Sequence, residues 1–157
     1  MTRYASETSV SQDRSRAEIE RTLQRYGADM FSYGWKDEGD ESFAYVMFRM
    51  ANRHIRFVLR IPSRSAKEFQ FTEQGRKRKP DAALKEWEQS VRQRWRALAL
   101  VVKAKLEAVE SGITTFEDEF MAHIVLPNGQ TVGEYMVPQI AEAYESKKMP
   151  KLLAWNG

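Results

Sequence analysis

A chain of 157 residues with a formal charge of +3 is the size of one ordinary domain, long enough to bury a core without covalent staples. It contains no cysteine, which excludes thiol nucleophiles, zinc ribbons, iron–sulfur clusters and disulfides together. A sequence pI near 9.2 permits an anionic partner without requiring one, and no stretch approaches the roughly 18–20 apolar residues of a membrane-spanning helix.

Residues 1–14 are polar and without period, so they read as a flexible N-terminal arm with no apolar run of signal-peptide length. Residues 15–157 are expected to form a single α+β domain. Ser15 followed three residues later by Glu18 has the pattern of a capping box, and Ile19, Leu23 and Tyr26 then recur at helical spacing up to Gly27.

From Ala28 the period changes to two. "ADMFSY" reads as a strand, "GWKDEGDE" as a polar turn region, "SFAYVMFRM" as a second strand, and "ANR" as a tight reversal into "RHIRFVLRI". Short connections between three consecutive strands predict an antiparallel meander. In the third strand Ile55, Phe57, Leu59 and Ile61 share one face, which leaves His54, Arg56 and Arg60 on the other. The second strand is apolar on both parities, through Ala44, Val46, Phe48 and Met50 or through Phe43, Tyr45 and Met47.

Residues 62–80, between Pro62 and Pro80, read as a long basic loop that carries Arg76, Lys77, Arg78 and Lys79 in succession. Asp81 is placed to cap a helix running to about Ser111, with Gly112 as its stop. Its apolar positions Leu84, Trp87, Val91, Trp95, Leu98, Val102, Leu106 and Val109 alternate spacings of three and four, the pattern of one buried stripe. At 1.5 Å per residue, roughly 30 residues span about 45 Å. Thr114 and Thr115 before Glu117 and Asp118 predict a short capped helix, Asn128-Gly129 a small hairpin, and "GEYMVPQIAEAYESKK" a last helix containing Pro138. The expected architecture is an α-β-β-β-α core, its three-stranded meander packed by the long helix, with a C-terminal helix-hairpin-helix appendage.

Most catalytic equipment is missing. There is no G-x-S-x-G elbow, no phosphate-binding G-x-x-x-x-G-K-[ST] loop and no G-x-G-x-x-G, and only His54 and His123 offer bases near neutral pH. Acidic residues crowd at Asp37, Glu38, Asp40 and Glu41 and at Glu117–Glu119, and Glu119 stands one helical turn before His123, a spacing suited to a shared metal. Acidic turns more often serve helix dipoles or water. No metal and no cofactor is therefore expected, and no enzymatic activity.

Aromatic rings and arginines on one sheet face suit single-stranded nucleic acid, where rings stack on bases and guanidinium groups meet phosphates. Arg56 and Arg60, with Phe43 and Tyr45 as stacking surface, are the candidates on the sheet. Lys85, Arg92, Arg96 and Lys103, spaced seven, four and seven along the long helix, share one helical face and extend the basic surface beside residues 76–79. The long apolar stripe also admits a homodimer.

The segments "FMAHIVLPNGQTVGEYMVPQIAEAYESKKMPKLL", "RYGADMFSYGW" and "RFVLRIP" resemble small uncharacterised proteins encoded by bacteriophages and prophages. The order α-β-β-β-α is also similar to that of the double-stranded RNA-binding domain, although "RKRKPDAALKEW" lacks that domain's glycines at the start of its second helix. The phage resemblance implies the cytoplasm of a bacterial host. The leading expectation is a non-enzymatic accessory protein that binds DNA or RNA; the alternative is a protein-binding module such as an inhibitor of a host defence protein. A metal-dependent nuclease built on Asp40 and Glu119 ranks third.

Overall fold

A computed structural model of the chain describes residues 10–149. The greater part of the expected arm, and Trp155 at the other end, lie outside the described residues. Helix α1 spans Val10–Arg25 and precedes the strands β1 (Met30–Glu38), β2 (Glu41–Met50) and β3 (Arg53–Ile61). Then come a single turn of helix α2 (Lys67–Gln70), the long α3 (Pro80–Glu110), the short α4 (Phe116–Phe120) continued by a 3-10 turn (Met121–His123), and α5 (Val132–Ser146). The α+β class and the meander are as the periodicities indicate, with strand order β1-β2-β3 and every pairing antiparallel. No helix among the described residues is long and apolar enough to cross a membrane.

Four boundaries differ from the sequence reading. Helix α1 is already formed at Val10, five residues before the Ser15 capping pattern, with Asp13 in its first turn and paired to Arg16 at i,i+3. Residues 10–14 are thus helix, not arm. Strand β1 continues through "GWKDE" to Glu38, and the reversal is confined to Gly39 and Asp40, with Gly39 at φ 60°. Such two-residue turns match the strand twist, so the polar stretch is strand wherever it has a partner across it. Residues 62–80 are not one open loop: α2 is followed by a small reversal closed by Thr72 N–H to Arg76 O at 2.8 Å and Arg78 N–H to Gln70 O at 2.7 Å. Helix α3 begins at Pro80, whose missing N–H costs nothing at a first helical position; Lys79 takes the cap position and Asp81 lies in the first turn.

One sheet face holds the core. Ala44, Val46, Phe48 and Met50 of β2 and Ile55, Phe57 and Ile61 of β3 are buried against Trp87, Val91, Trp95, Leu98, Val102 and Leu106 of α3 and Ile19 and Leu23 of α1. Trp87 satisfies its indole N–H on the Pro62 carbonyl at 2.8 Å, which lets a large polar-edged ring sit in the interior. Phe120 closes the end of the core, edge-on to Phe48 and Phe57.

The appendage docks on the edge of β3. Val125 N–H donates to His54 O at 2.8 Å, and Ile124 is the bridge partner of Ile55. The hairpin at Asn128-Gly129 then turns into α5, started by a complete capping box between Thr131 and Glu134. No residue of α5 is fully buried, and Val137, Ile140 and Tyr144 stay exposed. Among the described residues no layer covers the outer face of the sheet.

Candidate nucleic-acid interface

The strand register sorts the outer sheet face into rows. Lys36, Phe43 and Arg60 form one row, Gly34, Tyr45 and Val58 the next, then Ser32, Met47 and Arg56, and finally Met30, Arg49 and His54. Phe43 and Tyr45 thus lie on the same face as Arg56 and Arg60, as the alternation requires. Together with Val58, Arg56, Glu38 and Glu134 they line a shallow concavity of about 320 Å³.

The electrostatics of that face differ from the expectation. Arg60 is paired with Glu41, and Arg56 Nη2 donates to both carboxylate oxygens of Glu134 at 3.2 and 3.3 Å. Arg49 makes a two-pronged contact with Asp29 at 2.8 Å on each prong, and Lys36 is paired with Glu38. The hydrogen bonds from Arg49 hold the Asp29 carboxyl below its usual range, and that carboxylate in turn raises Arg49; Glu38 raises Lys36 in the same way. Every Lys or Arg on this face has a carboxylate of the chain itself beside it. Where the sequence reading places phosphates at Arg56 and Arg60, the fold has placed its own acids, and the Arg56 side chain is only 20% exposed.

A different surface has a lining in which cations outnumber acids. Helices α1 and α3 run side by side over the inner face of the sheet, and their solvent-facing seam is a groove in two stretches. The first, about 570 Å³, is lined by Arg14, Arg92 and Arg96; the second, about 390 Å³, by Arg21, Arg25 and Lys103, and Glu18 is common to both. Among the described lining residues six cations thus share one carboxylate. The ion pairs formed among the described residues include none of Arg21, Arg92, Arg96 and Lys103. The other lining residues, such as Gln89, Gln93 and Thr22, are polar, and among the described residues no aromatic ring lines either stretch.

Arg92 and Arg96, chosen from spacing alone, are therefore brought together with partners that the sequence reading left out. Arg14, Arg21 and Arg25 recur at seven and four residues, which places them on one face of α1, as four and seven do for Arg92, Arg96 and Lys103 on α3. Starting α1 at Ser15 hid the first of these stripes. Arg76, Lys77, Arg78 and Lys79 lead into α3 at the opposite end of the helix from Lys103. Lys77, Arg78 and Lys79 converge with Arg64 on a separate concavity of about 480 Å³.

The acidic candidates are engaged elsewhere. Glu119 accepts from Lys105 Nζ at 3.2 Å, and His123 stacks on the Phe57 ring at 4.1 Å between centroids. Burial lowers the His123 pKa, Lys105 lowers it further, and a backbone hydrogen bond at Arg56 opposes both. Asp37 accepts from Ser42 Oγ within the hairpin. Among the described residues no three acidic, histidine or cysteine side chains converge as a metal site.

No protein-family model matches the chain, and neither a curated protein nor a solved structure matches it.

Proposed function

We propose that the protein is a non-enzymatic accessory protein of the phage type that binds nucleic acid by its phosphate backbone, using the groove between α1 and α3. The observation that carries this reading is the contrast in compensation: six cations share Glu18 along the groove, whereas the sheet cations all have acids beside them. Cations that outnumber the acids around them repel one another, and a polyanion relieves that repulsion while releasing its own condensed ions. From Gln89 to Lys103 the groove follows α3 for about 21 Å, room for about six phosphates at 3.4 Å per phosphate along one strand of a duplex.

The lining favours duplex over single-stranded nucleic acid. Stacking of unpaired bases needs aromatic rings, and Phe43 and Tyr45 lie on the far side of the sheet from the groove. Contacts limited to phosphates position a protein on a duplex without reading its sequence. Fluorescence anisotropy with a labelled 20-base-pair duplex tests this directly: binding at low salt, insensitive to sequence, is the expected result. Absence of binding to DNA and RNA duplexes at low ionic strength overturns it.

A second reading, a module that binds a host protein, is favoured by the outer sheet face. Phe43, Tyr45, Met47 and Val58 form a half-exposed apolar strip whose surrounding charges cancel, as suits a protein contact better than a phosphate contact. Capture of one host protein that persists after nuclease treatment, and is lost on Tyr45→Glu, supports it.

A further inference from the structure

The concavity at the start of α3 differs from the groove in shape and in charge. Arg64, Lys77, Arg78 and Lys79 line it together with Gln70 and Leu84, and its lining includes no carboxylate. The backbone beneath these cations is fixed. Lys77 is the bridge partner of Phe71, and Arg78 is tied at both ends, its N–H to Gln70 O and its Nη1 to the carbonyls of Glu68 and Phe69 at 2.8 and 3.2 Å. The Arg64 guanidinium lies 5.4 Å from the centroid of the Trp87 ring, itself anchored on Pro62. Lys77 and Lys79 are exposed and belong to none of the ion pairs among the described residues.

Lys77 and Lys79 alone, at the rim of one hollow of about 480 Å³, exceed what a single phosphodiester charge balances. A terminal phosphate carries about −1.5 to −2 at neutral pH and offers three acceptor oxygens, so it satisfies more of the converging donors than a diester does. We propose that this pocket seats the terminal phosphate of a nucleic-acid strand, an assignment that rests on the nucleic-acid reading above. The turn at Thr72–Arg76 fixes the backbone that carries these donors before the ligand arrives, so that part of the ordering cost does not fall on binding.

The test compares two labelled duplexes, identical except for a 5′-phosphate or a 5′-hydroxyl end, titrated with the full chain by anisotropy at fixed ionic strength. The phosphorylated duplex is expected to bind about tenfold more tightly, as charge-assisted contacts to an added charge imply. Lys77→Gln with Lys79→Gln, two exposed positions, is expected to bring the ratio to one while the hydroxyl duplex remains bound. Equal affinities in the unaltered chain overturn the pocket and leave the groove reading intact. A preference that survives the double substitution also overturns it, because the phosphate then sits elsewhere. Failure of either duplex to bind at low salt overturns the nucleic-acid reading and the pocket with it. Tight binding of inorganic phosphate alone, with no gain for the phosphorylated duplex, assigns the pocket to a free anion and overturns the strand-end assignment.

Discussion

The two faces of this molecule use arginine in opposite ways. On the outer sheet face Arg49, Arg56 and Arg60 each meet a carboxylate from another element or a neighbouring strand, so the face carries local charge but almost no net field. Along the α1–α3 seam the groove is lined by Arg14, Arg21, Arg25, Arg92, Arg96 and Lys103, with Glu18 as the one carboxylate among the described lining residues. Exposed ion pairs contribute little to stability, roughly 0–1 kcal/mol each, so the sheet pairs are better understood as fixing which surface stays quiet. The number of basic residues on a face is thus a weaker indicator of an anion site than the number left without an acid.

Changing the compensated and uncompensated sets separately sharpens that contrast. The largest effect is expected from Arg92→Gln with Arg96→Gln: a fall of about a hundredfold in duplex affinity at 0.1 M salt, counting about one decade per lost phosphate contact. Anisotropy titration measures it, and far-ultraviolet circular dichroism checks that the fold persists, since Arg96 is exposed and Arg92 only partly covered. A smaller change of opposite sign is expected from Glu41→Gln with Glu134→Gln, which releases Arg60 and Arg56. Affinity should rise by no more than about threefold through the added net charge, with the salt slope little changed, because the released arginines lie on the far side of the sheet from the groove; glutamine at position 134 can still complete the capping box with Thr131. Arg56→Gln with Arg60→Gln should alter affinity by less than about threefold, because paired arginines bring little net charge to a passing phosphate. A loss as large as that from the groove pair would erase the distinction between the two faces.

The smallest expected effect concerns stability on the sheet side. The folded protein holds the His123 pKa below its unfolded value, so between the two values the unfolded chain binds more protons. The contribution of this histidine is fully present above the unfolded pKa of about 6.5 and is lost as pH falls through the folded value. Urea unfolding at pH 7.5 and pH 5 should show that decline, and His123→Gln should flatten the part of it that this ring causes.

Much of this was legible in the sequence, and the rest was hidden for identifiable reasons. The alternation in "SFAYVMFRM" and "RHIRFVLRI" and the three-four spacing from Leu84 to Val109 are local periods, and they place the meander and the buried stripe of α3 correctly. Asn128-Gly129 marks the hairpin for an equally local reason. By contrast, Arg56 and Glu134 are 78 residues apart, and their meeting depends on the appendage docking at the edge of β3 through Val125 and His54. No spacing within the sequence encodes that juxtaposition. The α1 stripe failed for a different reason: Asp13 and Arg16 extend the helix ahead of a capping pattern that looks like its start. "GWKDE" likewise has turn-like composition and becomes strand because "ESFAY" lies opposite, pairing Trp35 with Ala44 and Lys36 with Phe43.

The salt dependence of duplex binding tests the uncompensated groove most directly. If the six groove cations meet phosphates, log affinity should fall against log salt with a slope near −5, and the Arg92→Gln/Arg96→Gln chain should show a slope about two units shallower. A shallow slope in the unaltered chain, or one that the double substitution leaves unchanged, would contradict the assignment of this groove to a nucleic-acid backbone.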